Sequence, residues 1–285
     1  RRRKMNIADT LKHANAALVD AGLKEPQKDA RLLLRFALQR AKEFLFAHPE
    51  YELSDAEKAA FDAAIGRRSQ HEPVQYIIGT TEFYGLEFNV SPAVLIPRPE
   101  TEILVENAVN ALKGNAAARL CEIGVGSGCI SVAMLTELPT ASAIAVDRSP
   151  DALAIARQNA ERHKVLDRLD LLLSDVFDSV GEDGFDAVVS NPPYISLAEL
   201  ATLDREVREF EPEIALSDNA DGLEIIRKII AGSSHKLRPG GVLFLEIGYG
   251  QSERILPLFS PRKWTDVRFF SDLQSIPRIL RAFRL

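Results

Sequence analysis

From Pro97 onward the sequence alternates short β-branched runs with amphipathic helical patterns, and this alternation restricts the chain to few architectures. A helical pattern over 103–112 precedes a strand at 119–123, then a helix starting at Ser127, a strand at 143–146 and a helix starting at Ser149. Ser149 is placed to cap that helix and Pro150 to fill its first turn, while Leu153, Ala156 and Ala160 share a face. Strands at 169–173, 185–190 and 241–247 follow, with a helix at 223–235 between the last two. Parallel neighbours need crossover helices, so this βαβ repetition predicts an α/β fold with a doubly wound sheet. Ligands of such a sheet bind at the carboxyl ends of the strands. The runs 264–270 and 279–283 have no helix between them, which predicts an antiparallel pair at the sheet edge.

Residues 6–70 carry a different period. Leu32, Leu33, Phe36 and Ala37 recur at helical spacing after Pro26, and Ser54 with Glu57 forms a capping box ahead of Phe61, Ala64 and Ile65. From Gln75 to Pro97 short aromatic and β-branched runs are punctuated by Gly79, Gly85 and Pro92, the pattern of a small hairpin. The 285 residues are about twice the usual ~150-residue domain. They divide into a small N-terminal helical domain at 1–74, a β-hairpin linker at 75–97 and an α/β domain at 98–285.

Composition removes several classes. Hydrophobic residues make up 46% and charged residues 27%, which is globular and neither disordered nor fibrous. No apolar run approaches the ~18 residues of a spanning helix, and Asp9, His13 and Asp20 interrupt the stretch a signal peptide would need. A soluble, cytoplasmic protein without a membrane partner is expected. Cys121 and Cys129 form no disulfide framework and read as small core residues. The five histidines lack ligand spacing, so no metal is expected. The net charge of −6 is uneven: the first 70 residues hold 14 basic and 10 acidic side chains, which leaves the remainder strongly acidic. That acidic body argues against tight, nonspecific nucleic-acid binding, which depends on Lys and Arg at phosphates. The run Arg1, Arg2, Arg3, Lys4 reads either as a nucleic-acid contact or as upstream sequence ahead of Met5.

The first strand of the α/β domain runs into Glu122-Ile123-Gly124-Val125-Gly126-Ser127-Gly128. Glycines at alternate positions permit a tight turn and bring a ligand close to backbone N–H groups, which suits a nucleoside-containing cofactor. The competing reading is a turn needed only for helix packing. Asp147 ends the second strand, where a carboxylate can take both ribose hydroxyls. Asp175 ends the third, where it can accept an adenine amino proton while the Val176 N–H meets a ring nitrogen. After the fourth strand comes Asn191-Pro192-Pro193-Tyr194. Two prolines remove two backbone donors, so the Asn191 side chain and the Pro192 carbonyl stand as adjacent fixed acceptors for a planar NH₂ group. Holding both protons favours pyramidalisation of an otherwise delocalised nitrogen as it attacks a methyl carbon, and Tyr194 can pack against the planar group.

These motifs resemble the class I S-adenosylmethionine methyltransferases that modify amide or amine nitrogen. More specific are Ile96-Pro97-Arg98-Pro99-Glu100-Thr101-Glu102, Phe210-Glu211-Pro212 with Ala215-Leu216, Asp221-Gly222-Leu223, and Leu245-Glu246-Ile247-Gly248 with Gln251. Together they resemble the HemK/PrmC protein-(glutamine-N5) methyltransferases over about residues 6–285. The resemblance implies a Rossmann-like catalytic domain and S-adenosyl-L-methionine as cofactor. It implies as protein substrate a class-1 peptide chain release factor, methylated on the glutamine of its Gly-Gly-Gln loop and held by the helical domain. It assigns Glu122, Gly124, Val125, Gly126, Ser127 and Gly128 to the methionine and ribose side, Asp147 to the ribose, and Asp175 and Val176 to the adenine. Asn191, Pro192, Pro193 and Tyr194 fall to the target amide, with Asn191 also beside the cofactor and Asn191, Pro192 and Tyr194 carrying the catalysis. Residues 97–102 would cover the site, with Arg98 and Glu100 either functional or a structural ion pair. Glu122 stands where many relatives have Asp, and Val125 and Val176 where they often have Thr and an aromatic.

An Asn-Pro-Pro-Tyr site serves the amino group of adenine equally well, so a DNA adenine-N6 methyltransferase is the main rival. It would need base flipping and a basic duplex-binding surface, which the acidic domain does not offer. A ribosomal-protein glutamine is the other alternative acceptor.

Overall fold

Asn6 and Ser54 start two of the helices that make up the N-terminal part of the computed structural model, which describes residues 5–115 and 117–285. The basic run at 1–4 lies outside the described residues. Asn6 Oδ1 accepts the Asp9 N–H at 2.8 Å, and Ser54 and Glu57 complete the expected capping box. Helices Ile7–Asp20, Pro26–Leu38, Lys42–Ala47, Asp55–Ser69 and Val74–Ile78 bury Leu18, Leu33, Leu34 and Phe61 in one cluster. The last helix occupies residues read from the sequence as the start of a hairpin. Pro73 stands at its N-cap and Gly79, at φ +85°, ends it. By its contacts the first compact unit runs to Gly79 and also takes in Asp204–Phe210, a short segment from far along the chain.

Arg68 explains how that segment is held. Its guanidinium pairs with Asp29 at 2.7 Å and with Glu206 at 2.9 Å, and donates to the Glu72 carbonyl at 3.0 Å, with the Arg68 and Asp29 side chains both buried. Burial keeps the Asp29 carboxyl above its ordinary range, against the opposing pull of Arg68. Breaking such a pair from one side leaves a buried charge uncompensated. Arg68→Ala should therefore destabilise this unit by about 3–5 kcal/mol. The check is amide hydrogen exchange in Asp55–Ser69, and unchanged protection there would remove Arg68 from this role.

The second unit comprises Thr80–Leu203 and Glu211–Leu285. It opens with an antiparallel hairpin, β1 (Thr80–Phe83) and β2 (Leu86–Asn89). Tyr84 and Gly85 both have positive φ, 53° and 71°, the geometry of a type I′ turn. Glu102 accepts the Tyr84 N–H at 2.7 Å and so pins this non-glycine residue in the left-handed region. The hairpin, expected as a linker, is instead built into this unit: Phe83 and Phe88 are buried in its core, and Asn89 exchanges backbone hydrogen bonds with the Asn159 side chain.

The main sheet contains β3 (Arg119–Ile123), β4 (Ser142–Asp147), β5 (Leu169–Leu173), β6 (Phe185–Ser190), β7 (Leu237–Glu246), β8 (Trp264–Ser271) and β9 (Pro277–Arg284), in the order β5-β4-β3-β6-β7-β9-β8. The first five strands in that order are parallel, and β9 and β8 add antiparallel pairings at one edge, as the sequence predicts. Period-two alternation distributes the strands' side chains between two cores. Leu120, Ala187 and Val189 face a cluster with Leu104 and Met134, while Cys121, Ile123 and Val188 face one with Ile226 and Ile229. Helices Pro99–Leu112, Cys129–Glu137, Pro150–Arg162 and Glu224–Lys236 cover the faces. The strand order reverses between β3 and β6, and in open α/β sheets ligands bind in the crevice at that point. None of the described helices is long and apolar enough to cross a membrane.

Candidate active site

The loops leaving β3, β4, β5 and β6 enclose a cavity of about 600 Å³ at the switch point, within the range of small-molecule sites. Glu122, Gly124, Val125, Gly126 and Ser127 line it, as do Asp147, Asp175, Val176, Asn191, Pro192 and Pro193. Two sequence-predicted residues do not line it, Gly128 and Tyr194. Gly128, at φ +82°, is the N-cap of helix Cys129–Glu137, and a Cβ there would sit 3.2 Å from Ala156 Cβ. It serves close helix packing. By contrast, a Cβ on Gly124 (φ +75°) or Gly126 (φ +53°) would meet nothing within 4 Å, so these two leave the loop open to a ligand.

Local hydrogen bonds fix the loop against β4. The N–H groups of Gly124 and Val125 both donate to the Val146 carbonyl at 2.9 Å. Asp147 accepts the Gly126 N–H through Oδ2 and the Ser149 N–H through Oδ1, each at 2.9 Å. Its carboxylate is thereby held rigidly at the cavity wall with lone pairs to spare.

Two unfilled acceptors test whether an S-adenosylmethionine-sized ligand fits. Glu122 is fully buried; the Ser131 N–H and hydroxyl both donate to Oε2, and Oε1 has no hydrogen-bond partner. Burial pushes its carboxyl up to about 8, with the Asp147 charge adding and the Ser131 bonds opposing. Asp175 Oδ1 is also buried and without a hydrogen-bond partner, although its side chain as a whole is 41% exposed; Arg148 Nε lies 3.8 Å away. Buried acceptors in a native fold are normally satisfied. Two of them in one cavity match a ligand that brings N–H donors at both ends, as the methionine ammonium and the adenine amine do. Val176 adds a third sign. It holds φ +50°, a conformation that costs a β-branched residue about 1–3 kcal/mol and that clusters at ligand sites.

The segment after β6 is pinned from several sides. Ser190 Oγ donates to the Ile123 carbonyl at 2.7 Å, and Asn191 Nδ2 donates to Thr101 Oγ1 at 3.2 Å. The Tyr194 hydroxyl donates to Glu246 Oε1 at 3.3 Å, and burial raises its pKa, with the Glu246 charge adding. The Tyr194 carbonyl accepts from Gln251 Nε2 at 2.8 Å. The same buried amide donates to Gly222 O at 3.2 Å and accepts the Gly248 N–H at 2.8 Å. Gln251 thus ties three loops at one point, and a Cβ on Gly222 would collide with Tyr194 O at 2.4 Å.

Arg98 pairs with neither of its neighbours in sequence. Its guanidinium contacts Glu211 Oε1 at 2.5 Å, and Glu211 Oε2 accepts the Ile96 N–H at 3.2 Å. The Arg98–Glu100 pair considered from sequence is replaced by this longer-range one. Pro97, Arg98 and Thr101 line the cavity, with Pro99–Leu112 forming a helix immediately behind. Glu211, Glu246 and Gln251 have no role assigned from sequence, and Thr101 has one only within the covering segment 97–102. The signal available was an acid closing the apolar run Val242-Leu243-Phe244-Leu245-Glu246. Cys121 and Cys129 are buried and free, their thiols pushed up to about 12 by burial, and are inert packing residues. Among the described residues no group of three or more His, Cys, Asp or Glu side chains is arranged to hold a metal ion.

Comparison with known proteins agrees with this fold. The PrmC N-terminal domain family matches residues 9–79 and the methyltransferase small domain family matches residues 99–207. The release factor glutamine methyltransferase of Geobacter sulfurreducens is 40% identical over 274 residues, covering 96% of this chain and 95% of its own length. That of Koribacter versatilis is 39% identical, covering 97% and 96%. Among solved structures, a T. thermophilus 16S rRNA N2 methyltransferase (RsmC) in complex with AdoMet and guanosine shares the fold. It has a TM-score of 0.53 and 17% identity, over 72% of this chain and 50% of that one. A Rossmann-like sheet with an antiparallel edge, a cavity at its switch point with two unfilled acceptors, and near full-length similarity place the chain in one group: it belongs to the release factor glutamine methyltransferases, a family of class I S-adenosylmethionine-dependent enzymes.

Proposed function

We propose that this protein transfers a methyl group from S-adenosylmethionine to the side-chain amide nitrogen (N5) of the glutamine in the Gly-Gly-Gln motif of class-1 peptide chain release factors, in the cytoplasm and without direct contact to nucleic acid or membrane. The observation that carries this reading is that Asn191 lines the same cavity as the unpartnered Glu122 Oε1. That lets the target NH₂ group and a cationic cofactor meet in one cavity. The cofactor supplies an electrophilic methyl group on a sulfonium centre. Glu122 and the loop from Gly124 to Ser127 would hold its amino-acid end and ribose, Asp147 the ribose hydroxyls, and Asp175 and Val176 the adenine.

Asn191 Oδ1 and the Pro192 carbonyl would accept the two protons of the target amide. With both N–H bonds fixed, the nitrogen is biased toward pyramidal geometry and its lone pair toward the methyl carbon, a gain of orientation; the methylated nitrogen then releases one of its two protons to solvent to give the neutral N-methyl amide. Tyr194 backs this clamp. The helical unit would dock the folded release factor, raising the concentration of its loop at the clamp.

Asp147→Ala should weaken S-adenosylmethionine binding by about 10- to 150-fold, because hydrogen bonds to a charged acceptor contribute roughly 1.5–3 kcal/mol. Calorimetry giving unchanged affinity would remove Asp147 from the site. The acceptor itself is tested by offering labelled cofactor with intact release factor, the same factor with its loop Gln changed to Ala, ribosomal proteins, and duplex DNA. Label confined to the intact factor supports the reading. Label on DNA would replace it with adenine methylation, and label on ribosomal protein with the other glutamine acceptor.

A further inference from the structure

From the cavity lining inward to a buried acid, side chains from three separate elements form a hydrogen-bond chain that the reaction above does not by itself require. Glu246 closes β7 and Thr101 lies in the first turn of helix Pro99–Leu112, each only 2% exposed; Asn191 follows β6 and lines the cavity. Thr101 Oγ1 lies 2.6 Å from Glu246 Oε2, and Asn191 Nδ2 lies 3.2 Å from Thr101 Oγ1. The other carboxylate oxygen, Glu246 Oε1, takes the Tyr194 hydroxyl at 3.3 Å.

We propose that Glu246 is a positioning residue for methyl transfer, acting through Thr101 to fix which end of the Asn191 amide faces the acceptor nitrogen. The proposal rests on the reading of Asn191 as part of the amide clamp. A hydroxyl carries one hydrogen and an ionised carboxylate carries none. Thr101 therefore commits its hydrogen to Glu246, and its remaining lone pairs can only accept. The one end of the Asn191 side chain able to donate to them is Nδ2, so Oδ1 is left for the cavity. That is the polarity an incoming NH₂ group needs. When Glu246 is protonated on Oε2 the chain can run backward: the carboxyl donates to Thr101, Thr101 donates to Asn191 Oδ1, and Nδ2 turns to the cavity. Two NH₂ groups then oppose each other and the acceptor is refused.

The groups around Glu246 make this reversal accessible near neutrality. Burial is the dominant influence and pushes its carboxyl up to about 7. Thr101, Tyr194 and Arg278 of β9 oppose that rise, and Glu100 on the helix of Thr101 adds to it. Cys129 is near enough to feel the Glu246 charge, but its thiol is held neutral chiefly by burial and by Glu122, with Glu246 adding. Arg98 acts on the Tyr194 side of the pair.

The test uses the full chain with Thr101→Val, which is nearly isosteric and cuts the relay, Thr101→Ser, which keeps the hydroxyl, and Glu246→Gln. For each variant kcat and KM for release factor, cofactor affinity, and kcat against pH at saturating cofactor are measured, the last condition keeping Glu122 out of the profile. Thr101→Val and Glu246→Gln are expected to lower kcat by about 10- to 100-fold, as misplaced positioning groups do, with cofactor affinity within about twofold of wild type. Thr101→Ser should restore kcat to within about threefold. Wild-type kcat should rise through about pH 7, a limb absent from both relay variants. Wild-type kcat in Thr101→Val, retention of the acid limb in it, or a parallel loss of cofactor affinity would overturn the proposal. Where Glu246→Gln fails to fold, the Thr101 pair decides alone. A wild-type enzyme that does not methylate glutamine overturns the clamp and the relay together, whereas normal methylation by all the variants overturns the relay only.

Discussion

Asn191→Ala is expected to lower turnover on release factor by on the order of 10²–10³ while leaving S-adenosylmethionine affinity within a few-fold of wild type. The split follows from position. Glu122, Asp147 and Asp175, on three different strand ends, carry the cofactor in this account, and none is hydrogen-bonded to Asn191, whose Nδ2 goes to Thr101. Alanine removes the acceptor presented to the target amide and leaves the glycine loop, held by Val146 and Asp147, intact. Single-turnover kinetics with calorimetry on the same preparation separate the two effects. Wild-type turnover would eliminate the amide clamp, and a collapse of cofactor affinity equal to the rate loss would make Asn191 a cofactor residue instead.

Glu122→Gln should move stability and cofactor binding in opposite directions. In the unfolded chain this carboxyl ionises near its ordinary 4.5, whereas the folded protein holds the proton to about 8. The folded state therefore binds more protons across that window, and the stability associated with Glu122 is present below pH 4.5 and lost as pH rises toward 8. A neutral amide removes this dependence and can still accept from Ser131. The cofactor-free variant should melt higher than wild type at pH 8.5, by roughly 2–4 °C for each kcal/mol recovered, and nearly with it at pH 4.5. Its affinity for S-adenosylmethionine should fall by about 10- to 150-fold above pH 8, where the wild-type carboxyl is ionised, because one of the two unpartnered carboxylate oxygens in the cavity has lost its charge. A variant that binds cofactor normally would show that Glu122 only packs β3 against Ser131. A melting difference that does not grow with pH would show that the carboxyl is not held protonated.

Much of the fold is legible in the sequence because it is written in period. Short, almost wholly buried runs at β3 and β6 and helical spacing in Pro150–Arg162 are local patterns, and the caps at Ser54 and Ser149 are local chemistry. The hairpin turn is less so. Tyr84 adopts a positive φ because Glu102, eighteen residues on, accepts its N–H, and no rule about turn residues anticipates that partner. The same holds for Arg98, whose partner Glu211 is 113 residues away, and for Glu206, which joins the helical unit through Arg68. At the site, the spacing of the glycine loop shows that glycines are needed but not for what. Gly124 and Gly126 leave room for a ligand, while Gly128 lets two helices meet. Asn191 and Tyr194 stand together in the motif, yet only Asn191 reaches the cavity, because the Tyr194 hydroxyl is drawn to a buried acid at the end of β7.

The most direct test is the position of the transferred methyl group. Release factor is incubated with the full chain and S-adenosylmethionine, cleaved, and the Gly-Gly-Gln peptide sequenced by mass spectrometry with fragmentation of the glutamine side chain. One methyl group on the side-chain nitrogen of that glutamine, absent when Asn191→Ala replaces the wild-type enzyme over the same interval, is the expected result. An unmodified glutamine, or a methyl group on any other atom of the factor, would contradict the assignment of the Asn191 site to a glutamine amide.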